Sequence, residues 1–594
     1  MKDLQERATA LAELAHSKLI RRLQDAGNDL SSGHREATRL MLVGMARQAL
    51  GVEPGRFAYG LPCGGGKTQG VAALILAAAD IEPRLTFAVA TSQVEALCEL
   101  KRQLTEAGMS ADDIGLWHSL RVDKQLAGAG TGYASEPTTD EHASPRVLLL
   151  SQEKVRRLRE RMVPRSLLVW DESLVATEAQ SLAVSRLNTA NAIASTLAPK
   201  MTPHLAKVVV TIGGELAALR ADSQRTPKVL KDVLTADEMQ AVRDSLATVN
   251  RRDLFGKALA ATVDALLRLL AMPVSVVANG SGQNADGVIR YEVTVDPALA
   301  NIAILDASHT IRLLVQADQT ITNVKLPDYK RYSGVSVRQI DMATGKQQMT
   351  RSEAATRPVA RQVAQVIESL PEDDAILLFT FKDALDYLRR NLAAEGVKLH
   401  RIEFATWGQE TSRNEWVHCQ HVIMAGVLRR NPLELSASLL AQQGDMTRRN
   451  SAKALRDVTL SEMAHCALQA MNRGACRLTD AGGEAHAMTC TILVAKADQL
   501  RGILSESLPG VVWPVAEKPR RAPTKADNAA EQIKVHLAGL THAKVSLASI
   551  RKALPQLSAL NPRTVSAAVD IALIGSTWSR EDRSLVRLRR AFFN

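Results

Sequence analysis

The sequence predicts an α/β protein: two parallel-sheet lobes, a largely helical insertion and a small basic module at the C-terminal end. Three observations carry this. Short apolar runs alternate with helical periodicity over most of the 594 residues, the pattern of a parallel sheet. A glycine-rich loop stands between one such run and one such helix. From about residue 176 to 300 the alternation gives way to long amphipathic segments.

In chain order, residues 1–50 read as helical with a break at Asn28–Gly33. Phe57, Ala58 and Tyr59 end a strand, and Gln69–Ala79 is a helix. Thr86–Ala90, Ile114–Trp117 and Val147–Leu150 are strands, with a loop at Ala127–Ser144. Another apolar strand starts at Ser166 and runs into Asp171 and Glu172. Helices at Ala236–Val249 and Leu254–Leu270 precede a hairpin from Val274–Val277 to Val288–Val295. Asn301–Leu305 resumes the strand pattern and ends at Asp306-Ala307-Ser308. A second α/β unit begins near Tyr329, with strands at Ala375–Phe379, Lys398–Glu403, His421–Ala425 and Met488–Ala495. The expected domains are 1–175 (first lobe), 176–300 (insertion), 301–328 (return to the first lobe) and 329–515 (second lobe). A basic Pro-rich linker, 516–528, leads to a module at 529–594. That module has helices at Ala529–Leu540, Leu547–Leu554 and Pro562–Leu573, then strand, turn, strand over Thr577–Arg590. Three helices and a basic hairpin read as a winged helix-turn-helix, whose third helix enters a groove of duplex DNA.

Composition narrows the partners. Net charge is +11, and residues 516–594 hold 14 Lys/Arg against 6 Asp/Glu, which is +8 of that excess. A basic module on a nearly neutral body suits a polyanionic partner. Aromatic content is 3%, so the cores must be Leu, Val, Ile and Ala. The six cysteines form no C-x-x-C pair, which argues against zinc and for a reduced, cytoplasmic setting. The charged N-terminal segment is no signal peptide, and no apolar run reaches the length of a membrane span.

The chemistry starts at Leu61-Pro62-Cys63-Gly64-Gly65-Gly66-Lys67-Thr68. A strand, a glycine loop, Lys-Thr and a helix wrap backbone N–H groups around nucleotide phosphates. Pro62, Gly64, Gly65, Gly66, Lys67 and Thr68 are therefore expected to bind ATP. Lys67 would reach the terminal phosphates and the Thr68 hydroxyl would ligate Mg²⁺. The usual first glycine is replaced by Leu61, with Gly60 one place away. About a hundred residues on, Asp171 closes an apolar strand as the second Mg²⁺ group. Glu172 beside it is the expected general base for water.

These motifs resemble superfamily 2 helicases over roughly residues 30–500. LPCGGGKT is similar to that family's motif I, and Trp170-Asp171-Glu172-Ser173 to its motif II. Thr91-Ser92-Gln93 resembles motif Ia, Ile304–Ser308 motif III, and Thr380-Phe381-Lys382 motif IV. The stretch from Trp407-Gly408 to Asn414 and Trp416 resembles motif V. Gln469-Ala470-Met471-Asn472-Arg473-Gly474-Ala475-Cys476-Arg477 resembles motif VI, with the second arginine four residues after the first. The resemblance implies two RecA-like lobes, with Arg473 or Arg477 neutralising the transferring phosphoryl group from the second lobe. The insertion between motifs II and III resembles the arrangement of the XPD/DinG branch, without that branch's cysteine cluster. His34, Arg35 and Arg39 could approach the adenine, although a solvated helix face is the better explanation of them.

The expected function is an ATP-dependent DNA helicase or translocase, with a single strand in the motor and duplex at the winged helix. RNA is an alternative substrate. A nucleotide-gated clamp without unwinding is the alternative activity. A packaging ATPase of the terminase kind would need a cluster of nuclease acids, which the sequence lacks.

Overall fold

A computed structural model describes residues 2–25, 27–118, 145–158, 164–279, 285–410, 415–496, 498–514, 525–542, 544–573, 576, 578–582 and 584–587. The Ala127–Ser144 loop, residues 411–414 of the motif V stretch and most of the Pro-rich linker lie outside them. The chain divides into two compact units, Met1–Glu517 and Lys518–Asn594.

Strands β1 (Arg56–Tyr59), β2 (Phe87–Thr91), β3 (Ile114–Trp117), β4 (Val147–Ser151) and β5 (Leu167–Asp171) open the first lobe. Strands β6 (Thr177–Ala183), β7 (Val229–Leu230), β8 (Val274–Val277) and β9 (Gly287–Val293) belong to the insertion. The chain then returns with β10 (Ile302–Leu305) and β11 (Ile321–Val324). The first lobe is a seven-stranded parallel sheet in the order β11-β1-β10-β5-β2-β4-β3. Its central strands are mostly apolar; β2 (FAVAT) is buried at every position, and β5 (LLVWD) is apolar up to its final Asp171. A strand covered on both faces needs that continuity.

The helices Lys2–Asp25 and Ser32–Ala49 pack with Lys67–Ile81 on one face. Leu11, Leu19, Met41, Leu42, Leu74 and Ile75 fill one core there. Gly70 permits this approach, since a Cβ on it would come within 2.6 Å of Met41 Cε.

The insertion is a four-stranded antiparallel sheet, β6-β9-β8-β7, carrying four helices. The β8–β9 pairing is the hairpin read from the sequence. β6 is an addition, and pairs along its whole length with β9. The second lobe holds β12 (Val335–Ile340), β13 (Ile376–Thr380), β14 (Ile402–Thr406), β15 (His421–Ala425) and β16 (Met488–Leu493). They form a parallel sheet in the order β12-β16-β15-β13-β14. β14 differs from the expected Lys398–Glu403: Leu399–Arg401 make a 3-10 turn, and the strand starts at Ile402.

The Lys518–Asn594 unit contains the helices Lys525–Ala538, Leu547–Ala553 and Pro562–Leu573. With them are β17 (Lys544–Ser546), β18 (Trp578–Glu581) and β19 (Ser584–Arg587), antiparallel in the order β17-β19-β18. Ile533, Ile550, Leu557, Val569, Trp578 and Leu585 close its core.

Candidate nucleotide site

The parallel register builds the site. Ala58 pairs with Ile304, and Leu305 pairs with Asp171. The carboxyl ends of β1, β5 and β10 therefore lie side by side, where ligands of open α/β sheets bind. The glycine loop leaves β1, Asp171 and Glu172 leave β5, and Asp306 leaves β10.

Pro62, Gly64, Gly65 and Gly66 form a tight loop into the Lys67–Ile81 helix. Gly65 N–H donates to Pro62 O at 3.0 Å. Gly64 and Gly66 both have φ +82°, a conformation that costs any residue with a Cβ. Gly66 is the helix N-cap, so the first N–H groups of the helix face the cleft without helical partners. Lys67 Nζ donates to Leu61 O at 2.8 Å and Pro62 O at 3.2 Å. Burial lowers its pKa, while the Cys63 thiol and the Asp171 carboxylate oppose that shift. An ammonium held by neutral carbonyls alone is a ready partner for an incoming anion.

Thr68 Oγ1 donates to Asp171 Oδ2 at 3.4 Å. Hydroxyl and carboxylate are thus placed together, and oxygen donors of this kind suit Mg²⁺. Glu172 sits at φ 78°, a strained conformation for a non-glycine residue. Its N–H donates to Leu305 O at 3.1 Å, which anchors that geometry. Burial, and then the neighbouring Asp171, push its carboxyl up to about 8. Ser173 Oγ donates to Asp306 Oδ2 at 2.5 Å. Asp306 Oδ1 accepts from Ser308 N at 2.8 Å and from Ser308 Oγ at 2.6 Å. His465 Nδ1 lies 2.7 Å from that same hydroxyl, so the acidic loop is tied to the second lobe's Ala452–Met471 helix.

That helix delivers the arginines. Asn472 caps its end and accepts a hydrogen bond from Tyr332 Oη at 3.2 Å. Arg473 is 4% exposed; its Nε donates to Glu410 O at 2.5 Å and its Nη2 to Gln469 Oε1 at 3.2 Å. Arg477 makes no side-chain hydrogen bond among the described residues, and burial, then the charge of Arg473, lower its pKa to about 10. Both arginines line one cleft with Gly64–Thr68, Asp171, Glu172 and Asp306, a space of about 720 Å³.

The two lobes touch through backbone at this cleft. A Cβ on Gly64 would collide with the carbonyl oxygen of Arg477. Lys330 Nζ donates both to Cys63 O at 3.1 Å and to Arg477 O at 3.0 Å. Burial lowers the Lys330 pKa to about 8. Sequence reasoning passed over Lys330; its one signal is a lysine between two tyrosines just where the second α/β unit begins. His34 also contacts the glycine loop. Its Nε2 lies 3.2 Å from Gly65 O, and its ring stacks on Tyr329 at 4.3 Å. Arg39 instead pairs with Glu13 and Glu36 at the surface, as a solvated face would.

No family model matches the chain, and no curated protein matches it. Among solved structures, an XPD helicase is similar at 12% identity and a TM-score of 0.44, over 82% of this chain and 100% of that one. The Xpd4 protein of S. tokodaii is similar at 11% identity and 0.42, over 80% and 98%. S. cerevisiae Dbp5 bound to RNA and ADP BeF3 is similar at 9% identity and 0.33, over 84% and 96%. The chain itself shows two parallel-sheet lobes, with the glycine loop and the paired acids on the first and the two arginines on the second.

Proposed function

We propose that this chain is an ATP-dependent DNA helicase or translocase that hydrolyses Mg-ATP between its two lobes. One observation carries the reading: Lys67, Thr68, Asp171 and Glu172 from one lobe share a cleft with Arg473 and Arg477 from the other. Phosphoryl transfer is catalysed mainly by position and charge. The phosphate loop and Lys67 hold the phosphates, and Glu172 orients the attacking water. Thr68 and Asp171 would hold Mg²⁺, which when bound neutralises charge on the phosphate oxygens. Arg477, with its guanidinium uncommitted, is our choice for the arginine finger. Arg473, engaged by Glu410 and Gln469, is the residue that positions the segment. An arginine finger contributes on the order of 10³-fold or more in turnover, so Arg477→Ala should keep nucleotide affinity and lose hydrolysis.

Occupancy of the cleft by nucleotide draws the lobes together, and the cycle of closing and opening moves a strand held through its backbone. The three helices and antiparallel sheet of the C-terminal unit support a winged helix-turn-helix contacting duplex DNA. A strand-separation assay tests the motor: displacement of a labelled strand in Mg-ATP supports a helicase. ATP-dependent binding without displacement or translocation would leave the clamp reading. RNA is tested as a competing strand in the same assay.

A further inference from the structure

A second cleft, about 730 Å³ in volume, opens between the insertion and the second lobe. One wall is the stretch after the Thr202–Ala221 helix, with Arg225; the other carries Arg448 and Arg449 and leads into the Ala452–Met471 helix. Asn279 and Asn450 also line it, the Nδ2 of the first donating to Ala285 O at 2.8 Å and that of the second to Ser436 Oγ at 3.3 Å. Three guanidinium groups thus meet one carboxylate, Asp445. Asp445 Oδ1 is already engaged, accepting from Thr447 N at 2.8 Å and Thr447 Oγ1 at 2.7 Å. Arg225 is paired with Glu215 at 2.8 Å. Arg449 is held only by a neutral group, the Asp222 carbonyl, at 2.9 Å. Arg448 is exposed. Asp445 also interacts electrostatically with Arg448, so one of the three guanidinium charges, that of Arg449, lacks a counter-charge.

The backbone adds to them. Ser451 caps the Ala452–Met471 helix, its side chain accepting from Ala454 N, and the helix starts at this cleft. A helix N-terminus favours an anion. The lining offers donors and no aromatic ring to stack on a base, so the cleft suits phosphates rather than bases.

We propose that this cleft cradles consecutive phosphates of a nucleic-acid strand, independently of sequence. The inference rests on the reading of the chain as a nucleic-acid-dependent ATPase, and assigns part of the strand's path. The helix that starts here spans 20 residues, roughly 30 Å, and ends at Met471, two residues before Arg473 in the nucleotide cleft. A strand held at one end thus bears directly on the element that carries the arginines.

The test compares the full chain with Arg448→Gln/Arg449→Gln and with Arg448→Lys/Arg449→Lys. Binding of an oligo-dT strand and of an abasic strand is followed by fluorescence anisotropy across a salt series. Each phosphate contact on a single strand contributes a slope of about 0.7 in log affinity against log salt. The Gln pair should lower the slope by about 1.4 and weaken binding on the order of tenfold at 0.1 M salt, equally on both strands. The Lys pair should keep the slope. Unfolding followed by circular dichroism checks the fold; should the Gln pair fail it, exposed Arg448→Gln alone should lower the slope by about 0.7. An unchanged slope overturns the cradle while leaving the motor reading intact, and so does a loss confined to oligo-dT. If the unaltered chain binds neither strand, the cradle and the nucleic-acid reading fall together.

Discussion

Gly64→Ala and Gly66→Ala form a matched pair that isolates the contact between the phosphate loop and the arginine segment. Both glycines have φ +82°, so both alanines carry the same backbone strain, about 1–2 kcal/mol. Their surroundings differ. A Cβ on Gly66 meets Leu23 Cδ1 at 3.1 Å, the end of a side chain that can rotate. A Cβ on Gly64 collides with the backbone carbonyl of Arg477, with Arg477 Cγ at 3.2 Å and Arg477 C at 3.3 Å. Backbone cannot rotate away, so loop and arginine segment must separate by ~1 Å to restore ordinary contact. A displacement of that size between catalytic groups costs on the order of 100-fold in rate. Gly64→Ala should therefore lower kcat by roughly two orders of magnitude more than Gly66→Ala, with similar affinities for a fluorescent ATP analogue. Steady-state hydrolysis and analogue titration measure both. Equal losses of kcat would refute the argument that lobe contact at Gly64 sets the catalytic geometry.

Glu172→Gln removes the proposed base but keeps the side chain's shape; it should bind ATP and nucleic acid and hydrolyse at least ~100-fold more slowly, and normal turnover would remove Glu172 from that role. Lys330→Met tests, by pH, the lysine that joins the two lobes. Its folded pKa of about 8 lies below the ordinary 10.5, so between those values the unfolded chain binds more protons and stability rises with pH. The destabilising contribution is complete below about 8 and gone above 10.5; the difference in denaturation midpoint between the two proteins should change across that window, and a constant difference would contradict a buried lysine charge. Deleting residues 516–594 should weaken duplex binding and shallow its salt slope; an unchanged slope would assign the C-terminal unit to a protein partner.

Much of the fold was legible because buried parallel strands leave continuous apolar runs. β3 and β15 have the bounds the sequence suggests, and the Pro562–Leu573 helix starts at its proline. The strands that escaped lack this signal. β6 (TEAQSLA) has polar residues at most positions, and β7 has two residues. β11 is an edge strand with Thr322 and Asn323 exposed. For β14, Leu399 and Ile402 look alike in sequence, but only Ile402 enters the ladder, against Ile376. At the site, the glycine loop and the acid pair could be read because their spacing is local. The joining of Arg477 to the loop through Lys330, and of Asp306 to His465 through Ser308, could not. Those partners lie more than a hundred residues apart, and nothing local in a lysine or a histidine announces a contact across two lobes.

The proposed motor hydrolyses ATP in a cleft shared by the two lobes and couples that hydrolysis to a nucleic-acid strand. Steady-state hydrolysis with and without single-stranded DNA, alongside Lys67→Ala, measures it most directly. Strong stimulation by the strand, lost in Lys67→Ala, is expected. Turnover indifferent to DNA and RNA, or unaltered in Lys67→Ala, would contradict it.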